Sequence, residues 1–206
     1  NAWILDRPAD LERARFFLKE TLHTQIMDDG MQWEASPMYH NEVLASYLEV
    51  LRVADIWNDE LFDGEELDLI RRAAFATMNL QTPAHHQPMV GDSDDTDVRD
   101  LLSEAALLYE DGELKAGAFE RLDFESIWLF GAEGDRRYQA IPTIPSEEHV
   151  TELSDSGQVV LRSGWDAHAD WLYFKNGPLG GGHGHQDKLH VSLWLGGEGV
   201  LTDCGR

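Results

Sequence analysis

Cysteine is almost absent from this sequence, which has one such residue, Cys204, among 206. A single cysteine excludes an internal disulfide but does not fix the redox compartment. Long apolar runs are missing too, since no stretch approaches the roughly 18 apolar residues that read as a membrane-spanning helix. We therefore expect no membrane insertion. Residues 1–10 also lack the basic and apolar segments of a signal peptide, although an internal piece of a longer protein would not show one.

Basic residues are scarce. The chain has 16 Lys and Arg against 39 Asp and Glu, a formal charge of −23, and only four of its residues are lysine. Nucleic-acid binding is not expected, because it depends on a basic patch. A polyanionic substrate would be repelled by the overall field. Local histidines, arginines or a metal would then have to create an attractive site.

The sequence changes character near residue 140. Apolar residues recur at helical spacing before it, and short apolar runs separated by turn residues follow it. We predict helices over 9–27, 40–57, 65–80, 97–109 and 116–122. We predict strands over 158–162, 170–174, 188–195 and 200–203, with a proline-containing linker over 138–145. Helices followed by strands indicate an α+β protein with two segregated regions and an antiparallel sheet of about four strands.

The segment 180–187, GGGHGHQD, is the most informative one. In an extended segment His183 and His185 point to the same side, so one can bind a metal while the other faces a substrate. Asp203 lies at the end of a later predicted strand, and a hairpin would bring it beside the histidines. His and Asp together suit zinc, although a third protein ligand is needed. The alternative is a glycine turn with solvated histidines.

A second segment, 29–40 (DGMQWEASPMYH), joins the first two predicted helices. Ser36 is a candidate cap with Pro37 at the first helical position. Tyr39 and His40 then lie in the first turn, where they can line a cleft. The alternative is a well-capped helix in which Tyr39 only packs. The acidic loop 91–97 (GDSDDTD) fits a helix cap and turn better than a calcium site, because its spacing misses the EF-hand pattern.

Together these segments resemble the heparinase II/III family of polysaccharide lyases. The matching residues are Asp29-Gly30, Glu34, Ser36-Pro37, Tyr39-His40, the GDSDD run at 91–95, LRSG at 161–164, GPLG at 177–180, His183-Gly184-His185, Asp187 and Asp203-Cys204-Gly205. They follow the family's order across nearly the whole chain. The GPLG to HGH block is the most specific.

The resemblance implies an incomplete (α/α) toroid followed by an antiparallel β-sandwich. Residues 1–138 would form the last part of the toroid, 139–148 a linker and 149–206 the first strands of the sandwich. The family's lyases are periplasmic or secreted and cleave uronic-acid polysaccharides by β-elimination. The chain would be an internal piece of such an enzyme, inactive alone, whose partner is an acidic polysaccharide.

The resemblance also implies site roles for six residues. Tyr39 matches the catalytic acid and candidate base, and His183 matches the histidine beside the substrate carboxylate. Glu34 and His40 are implied to bind substrate. His185 and Asp203 match two ligands of a structural zinc, with a third ligand outside this chain.

Two other classes of protein stay open at this point. A cupin-like metal enzyme also has His-x-His after glycines, but expects a glutamate where this chain has Leu189 and His190. A non-catalytic, zinc-braced carbohydrate-binding relative is the other. Heparan sulfate, heparin and alginate are all candidate substrates. The scarcity of lysine and arginine favours an unsulfated or weakly sulfated uronan.

Overall fold

The computed structural model describes residues 2–205 and, in that range, places six helices before five strands. The helices are α1 (Pro8–Gln25), α2 (Pro37–Ile56), α3 (Gly64–Leu80), α4 (Arg99–Tyr109), α5 (Gly112–Ala116) and α6 (Phe124–Ala140). The strands are β1 (Val150–Leu153), β2 (Gln158–Arg162), β3 (Trp171–Lys175), β4 (His190–Leu195) and β5 (Glu198–Leu201). This order confirms the predicted α+β class.

The helix predicted over 116–122 is wrong. The carboxylate of Asp111 accepts hydrogen bonds from the amides of Glu113 and Leu114. This cap starts α5 at Gly112, before the predicted segment. Residues 117–122 then form turns and bends rather than a helix.

Helix α6 is absent from the sequence prediction, and it runs two residues past the predicted end of the helical region at 138. Asp123 caps it by accepting a hydrogen bond from the amide of Ser126. Gly131 interrupts it with a φ of 66°, a conformation that favours glycine. The helix ends at Ala140, so the first residues assigned to the linker are helical.

The helical region has its own apolar core, formed mainly where α2, α3 and α4 meet. Its fully buried members include Leu44, Leu48, Ile70, Leu102 and Leu107. Each such side chain contributes about 1.5–3 kcal/mol by leaving water. This core fixes the start of α2, where Tyr39 lies.

The strands form one antiparallel sheet in the order β1-β2-β3-β4-β5. One face packs Val160, Trp171 and Tyr173 against Met31 and Leu80 of the helical region. The opposite face has a row of aliphatic residues in register across all five strands: Val150, Leu161, Leu172, Leu193 and Leu201. A β-sandwich packs such a face against a second sheet.

Polar contacts also fix the sheet against the helices. Asp29 accepts hydrogen bonds from the amide and hydroxyl of Ser156, at 2.8 and 3.0 Å. Arg162 of β2 donates to the carbonyls of Asn79 and Gln81 at the end of α3. The loop between β3 and β4 faces the start of α2, where the amide of His183 donates to the carboxylate of Glu34. Within residues 2–205 no helix is both long and apolar enough to cross a membrane.

Candidate active site

Tyr39 and His183 come together where the two regions meet. Tyr39 lies in the first turn of α2, and His183 lies in the loop between β3 and β4. Their rings are nearly parallel, with 3.4 Å between centroids and 5° between planes. Both side chains are partly exposed. The two residues to which the resemblance gives catalytic roles are thus in direct contact.

The first turn of α2 is completed by another loop. Ser36 occupies the cap position with Pro37 next to it, as predicted, but its side chain makes no capping bond. The hydroxyl of Ser93 accepts the hydrogen bond from the amide of Met38 instead, at 3.1 Å. Ser36 and Ser93 also share a hydrogen bond of 3.1 Å. The acidic loop predicted to be a cap and turn therefore supports the helix that bears Tyr39.

Asp92 joins both histidines of the HGH motif. Its carboxylate lies 3.1 Å from Nδ1 of His183 and 2.8 Å from Nε2 of His185. These two bonds, that of His183 first, lower the pKa of Asp92. Since an ionised carboxylate has only acceptors, both ring nitrogens must donate. Nε2 of a neutral His183 then keeps its lone pair, and it becomes a second donor when the ring is protonated.

Sequence reasoning gave Asp92 no role in the site. The GDSDD run was visible as a family feature and as a turn, but its partners lie far along the chain. Only the fold shows that its first carboxylate lies against His183 and His185.

The backbone of His183 is held by Glu34, whose carboxylate accepts its amide hydrogen bond at 3.1 Å. The preceding glycines allow this approach. A Cβ on Gly180 would lie 2.0 Å from the carbonyl oxygen of Glu34, and one on Gly181 would lie 2.2 Å from the ring of Trp33. Glu34 therefore positions the loop of His183, and its predicted contact with substrate stays a prediction.

His40 occupies a different place from the one implied by the resemblance. Its side chain is buried, with Nδ1 accepting from the amide of Gln32 at 3.1 Å. Nε2 donates to the carbonyl of Ala73 at 3.0 Å and lies 3.0 Å from the hydroxyl of Thr77. Burial lowers the pKa of His40 to about 4. We therefore correct its role from substrate contact to bracing the loop before α2.

Comparison with protein families gives two matches. The heparinase II/III N-terminus model matches residues 11–114, and the heparinase II/III-like C-terminal model matches residues 145–206. The chain belongs to the heparinase II/III family. The predicted resemblance is confirmed, and the cupin-like alternative is set aside.

Curated relatives of this heparinase II/III chain include two proteins named heparin-sulfate lyase. The one from Pedobacter heparinus is 26% identical over 189 residues, covering 91% of this chain and 26% of the relative. The one from Bacteroides stercoris is 25% identical over 190 residues, with the same two coverages. The chain thus spans about a quarter of the length of these relatives.

Solved structures share the fold. A heparinase III gene product superimposes with a TM-score of 0.79 and 23% identity, over 96% of this chain and 29% of that chain. The heparan sulfate lyase from Pedobacter heparinus gives a TM-score of 0.73 and 24% identity, over 91% and 27%. The arrangement of helices and sheet is therefore that of heparinase structures.

The two predicted zinc ligands of this heparinase II/III chain have different partners. His185 bonds to Asp92, whereas the carboxylate of Asp203 lies 3.7 Å from Nδ1 of His190. Within residues 2–205 no three His, Cys, Asp or Glu side chains are grouped so that they can hold a metal ion. In this part of the chain the donors present do not form a complete zinc site.

A cavity of about 360 Å³ adjoins the HGH segment. Lys188 and His185 line it beside the ion pair of Lys175 and Asp187, and Pro178 and Leu179 contribute apolar surface. Lys188 is exposed. Lys175 is paired with Asp187, so Lys188 is the exposed lysine that this cavity offers to a ligand.

Proposed function

We propose that this chain forms part of a polysaccharide lyase that cleaves uronic-acid glycans by β-elimination and leaves a C4–C5 double bond. The stacked pair of Tyr39 and His183 is the observation that carries the proposal. A phenol and an imidazole in contact supply a proton-transfer group and a donor for a carboxylate in one place. Bracing a fold requires neither group at an accessible position.

The chemistry explains why the histidine is needed. The proton on C5 of a uronate is weakly acidic, and neutralising the neighbouring carboxylate stabilises the negative charge that develops when it leaves. Asp92 holds Nδ1 of His183, so Nε2 is the nitrogen left to face the substrate carboxylate, to which it donates when the ring carries both protons. Rings 3.4 Å apart leave no space between their faces. The uronate therefore approaches the ring edges, where Nε2 and the phenol oxygen lie.

Tyr39 supplies the proton transfer in this account. As a phenolate it takes the C5 proton, the C4–O bond breaks with its electron pair going to the departing oxygen, and the C4–C5 double bond forms. The phenol then protonates that oxygen, which restores the phenolate. Positioned acid–base groups of this kind contribute about 10²–10⁴-fold to rate.

We propose a glycosaminoglycan of the heparan sulfate type as substrate, since the two curated relatives are named heparin-sulfate lyase. The acidic surface and four lysines favour a weakly sulfated polymer. Exposed Lys188 is the local basic group near the site. Alginate is the comparison substrate, because it offers uronate without sulfate or amino sugar.

A panel of uronic-acid polymers tests the proposal on the protein at full natural length, with ultraviolet absorbance of the unsaturated product as the readout. Absorbance should rise with heparan sulfate of low sulfation. Polymer binding without a rise would contradict the lyase and favour a carbohydrate-binding relative. A rise with alginate alone would keep the reaction and change the substrate.

We also propose structural zinc and a location outside the cytoplasm. Zinc needs a ligand in addition to His185 and Asp203, so metal content should be measured on the full-length protein beside its His185→Ala and Asp203→Ala variants. Loss of metal in both variants supports the site, and equal metal in all three contradicts it. Cell fractionation tests a periplasmic or secreted location, where polysaccharide substrates occur.

A further inference from the structure

A buried lysine lies behind the candidate site. Lys175 is the last residue of β3, and its side chain is 2% exposed. Its ammonium donates to the carbonyl of Ala35 at 3.1 Å and lies 3.4 Å from the carboxylate of Asp187. Burial lowers the pKa of Lys175, whereas Asp187 opposes that effect. The catalytic scheme above makes no use of this ion pair.

The pair touches each of the three segments that build the site. Ala35 lies just before the first turn of α2, which bears Tyr39. Asp187 follows the HGH motif, and the same carboxylate oxygen accepts the amide hydrogen bond of Gly91 at 3.1 Å. Gly91 precedes the carboxylate that holds both histidines. One ion pair therefore links the tyrosine helix, the acidic loop and the histidine loop.

We propose that Lys175 and Asp187 form a positioning pair that keeps Tyr39 stacked on His183. The expected effect on the catalytic rate rests on the proposed lyase function. The expected effect on the stacking of Tyr39 and His183 does not. A buried ion pair adds little net stability compared with apolar residues of similar size. Its effect should therefore appear in the alignment of the site, where a displacement of about 1 Å can cost 10²-fold in rate.

Arg162 offers a matched control. It is also a buried cation on the sheet, and it also donates to backbone carbonyls of the helical region, those of Asn79 and Gln81. These two carbonyls lie at the end of α3, whereas the carbonyl bound by Lys175 lies in the loop before α2. Replacing Arg162 by methionine removes a comparable cation from the same interface and leaves the three site segments linked.

The experiment compares Lys175→Met, the double variant Lys175→Met/Asp187→Leu and Arg162→Met in the protein at full natural length. The double variant leaves no unpaired buried carboxylate, so it protects the test against a failure to fold. Two readouts are taken below each variant's melting temperature. The first is kcat and KM on the polymer that is degraded. The second is the NMR shift of selectively ¹³C-labelled His183, which the stacked Tyr39 ring displaces.

We expect kcat to fall about 10²-fold in both Lys175 variants with KM little changed, and the His183 shift to lose its ring-current displacement. Arg162→Met should lower the melting temperature but leave kcat and the NMR shift of His183 unchanged. Unchanged kcat and shift in the Lys175 variants would overturn the proposal, and so would equal losses in Arg162→Met. Loss of the shift in the Lys175 variants alone, in a protein that cleaves no polymer, would uphold the positioning pair and reject the lyase.

Discussion

Asp92 and His183 are joined by two hydrogen bonds that run in opposite directions. The ring Nδ1 of His183 lies 3.1 Å from the carboxylate, and the amide of Asp92 donates to the carbonyl of His183 at 3.0 Å. The first bond fixes the ring, and the second fixes the backbone that bears it. The orientation of His183 is therefore set mainly by a loop of the helical region.

Replacing Asp92 by asparagine tests this relationship. The new side chain keeps one acceptor oxygen and places a donor NH2 group where the other histidine requires an acceptor. The bonds to His183 and His185 then cannot both be kept, so His183 should lose its fixed orientation and kcat/KM should fall by about 10²-fold. Asp95→Asn is the matched control, since Asp95 lies in the same loop and pairs with His86 instead. The kcat/KM of both variants is measured by steady-state kinetics with the polymer that the wild-type protein cleaves. Equal activity of Asp92→Asn and wild type would contradict the role of Asp92 in orienting His183.

Two variants of Glu34 distinguish its role as a hydrogen-bond acceptor for the His183 amide from a requirement for its negative charge. Glu34→Gln keeps a carbonyl oxygen that can accept the amide hydrogen bond of His183, so its kcat/KM should stay close to wild type. Glu34→Ala loses that acceptor, and the loss of one such bond corresponds to about tenfold. If the glutamine variant is as impaired as the alanine variant, the negative charge itself is required, as in a direct contact with substrate.

The glycine run gives a prediction about stability. Gly180 has a φ of +77°, and an added Cβ would lie 2.0 Å from the carbonyl oxygen of Glu34. Gly180→Ala should lower the free energy of unfolding by about 1–3 kcal/mol and impair activity. A Cβ on Gly182 meets nothing within 4 Å, so Gly182→Ala should be neutral. Chemical denaturation distinguishes them, and similar values for both would contradict the close packing of this loop on Glu34.

The burial of His40 leads us to expect that the free energy of unfolding depends on pH. Its pKa falls from 6.5 to about 4 on folding, so between these values the unfolded chain binds a proton that the folded chain does not. The stabilisation is complete above pH 6.5 and is lost as the pH falls, by up to about 3 kcal/mol. His40→Gln cannot titrate but still offers an acceptor and a donor. The difference in unfolding free energy between wild type and this variant should shrink from pH 7 to pH 4.5.

The difference between the two proteins must be used because another group titrates in the same range. Burial raises the pKa of Glu104 to about 7, so its contribution has the opposite sign and is lost as the pH rises. Both proteins contain Glu104, and its contribution cancels in the comparison. A difference that stays constant with pH would show that His40 is not the buried neutral ring described above.

The elements with a clear period could be predicted from sequence. The first four helices and the strands β2 to β5 lie within a few residues of their predicted positions. Helices α3 and α4 and strands β2 and β3 bury a regular face, whereas the exposed strand β5 is marked by the turn residues Gly196 and Gly197 that precede it. Helix α6 was missed, since Phe124 and Trp128 are exposed and Gly131 interrupts it. Strand β1 was missed because only Leu153 of its four residues is buried and the polar segment 146–149 before it has no strand pattern.

The site was predictable only in part, for a physical reason. Tyr39 and His183 stand in motifs whose residue types indicate chemistry, so sequence could single them out before the fold showed their contact. Asp92 and Lys175 act through partners distant in the chain, and no local pattern shows such contacts. His40 has the residue type of a ligand, but burial decides its role.

The most direct test of the central claim is the initial rate of unsaturated uronyl product formation by the full-length protein and its Tyr39→Phe and His183→Ala variants. Tyr47→Phe is the control, because Tyr47 lies on the same helix and bonds to the carbonyl of Leu18, away from the site. We predict that Tyr39→Phe and His183→Ala reduce kcat by at least about 10²-fold, while polymer binding and Tyr47→Phe activity persist. Full activity in Tyr39→Phe would contradict the account.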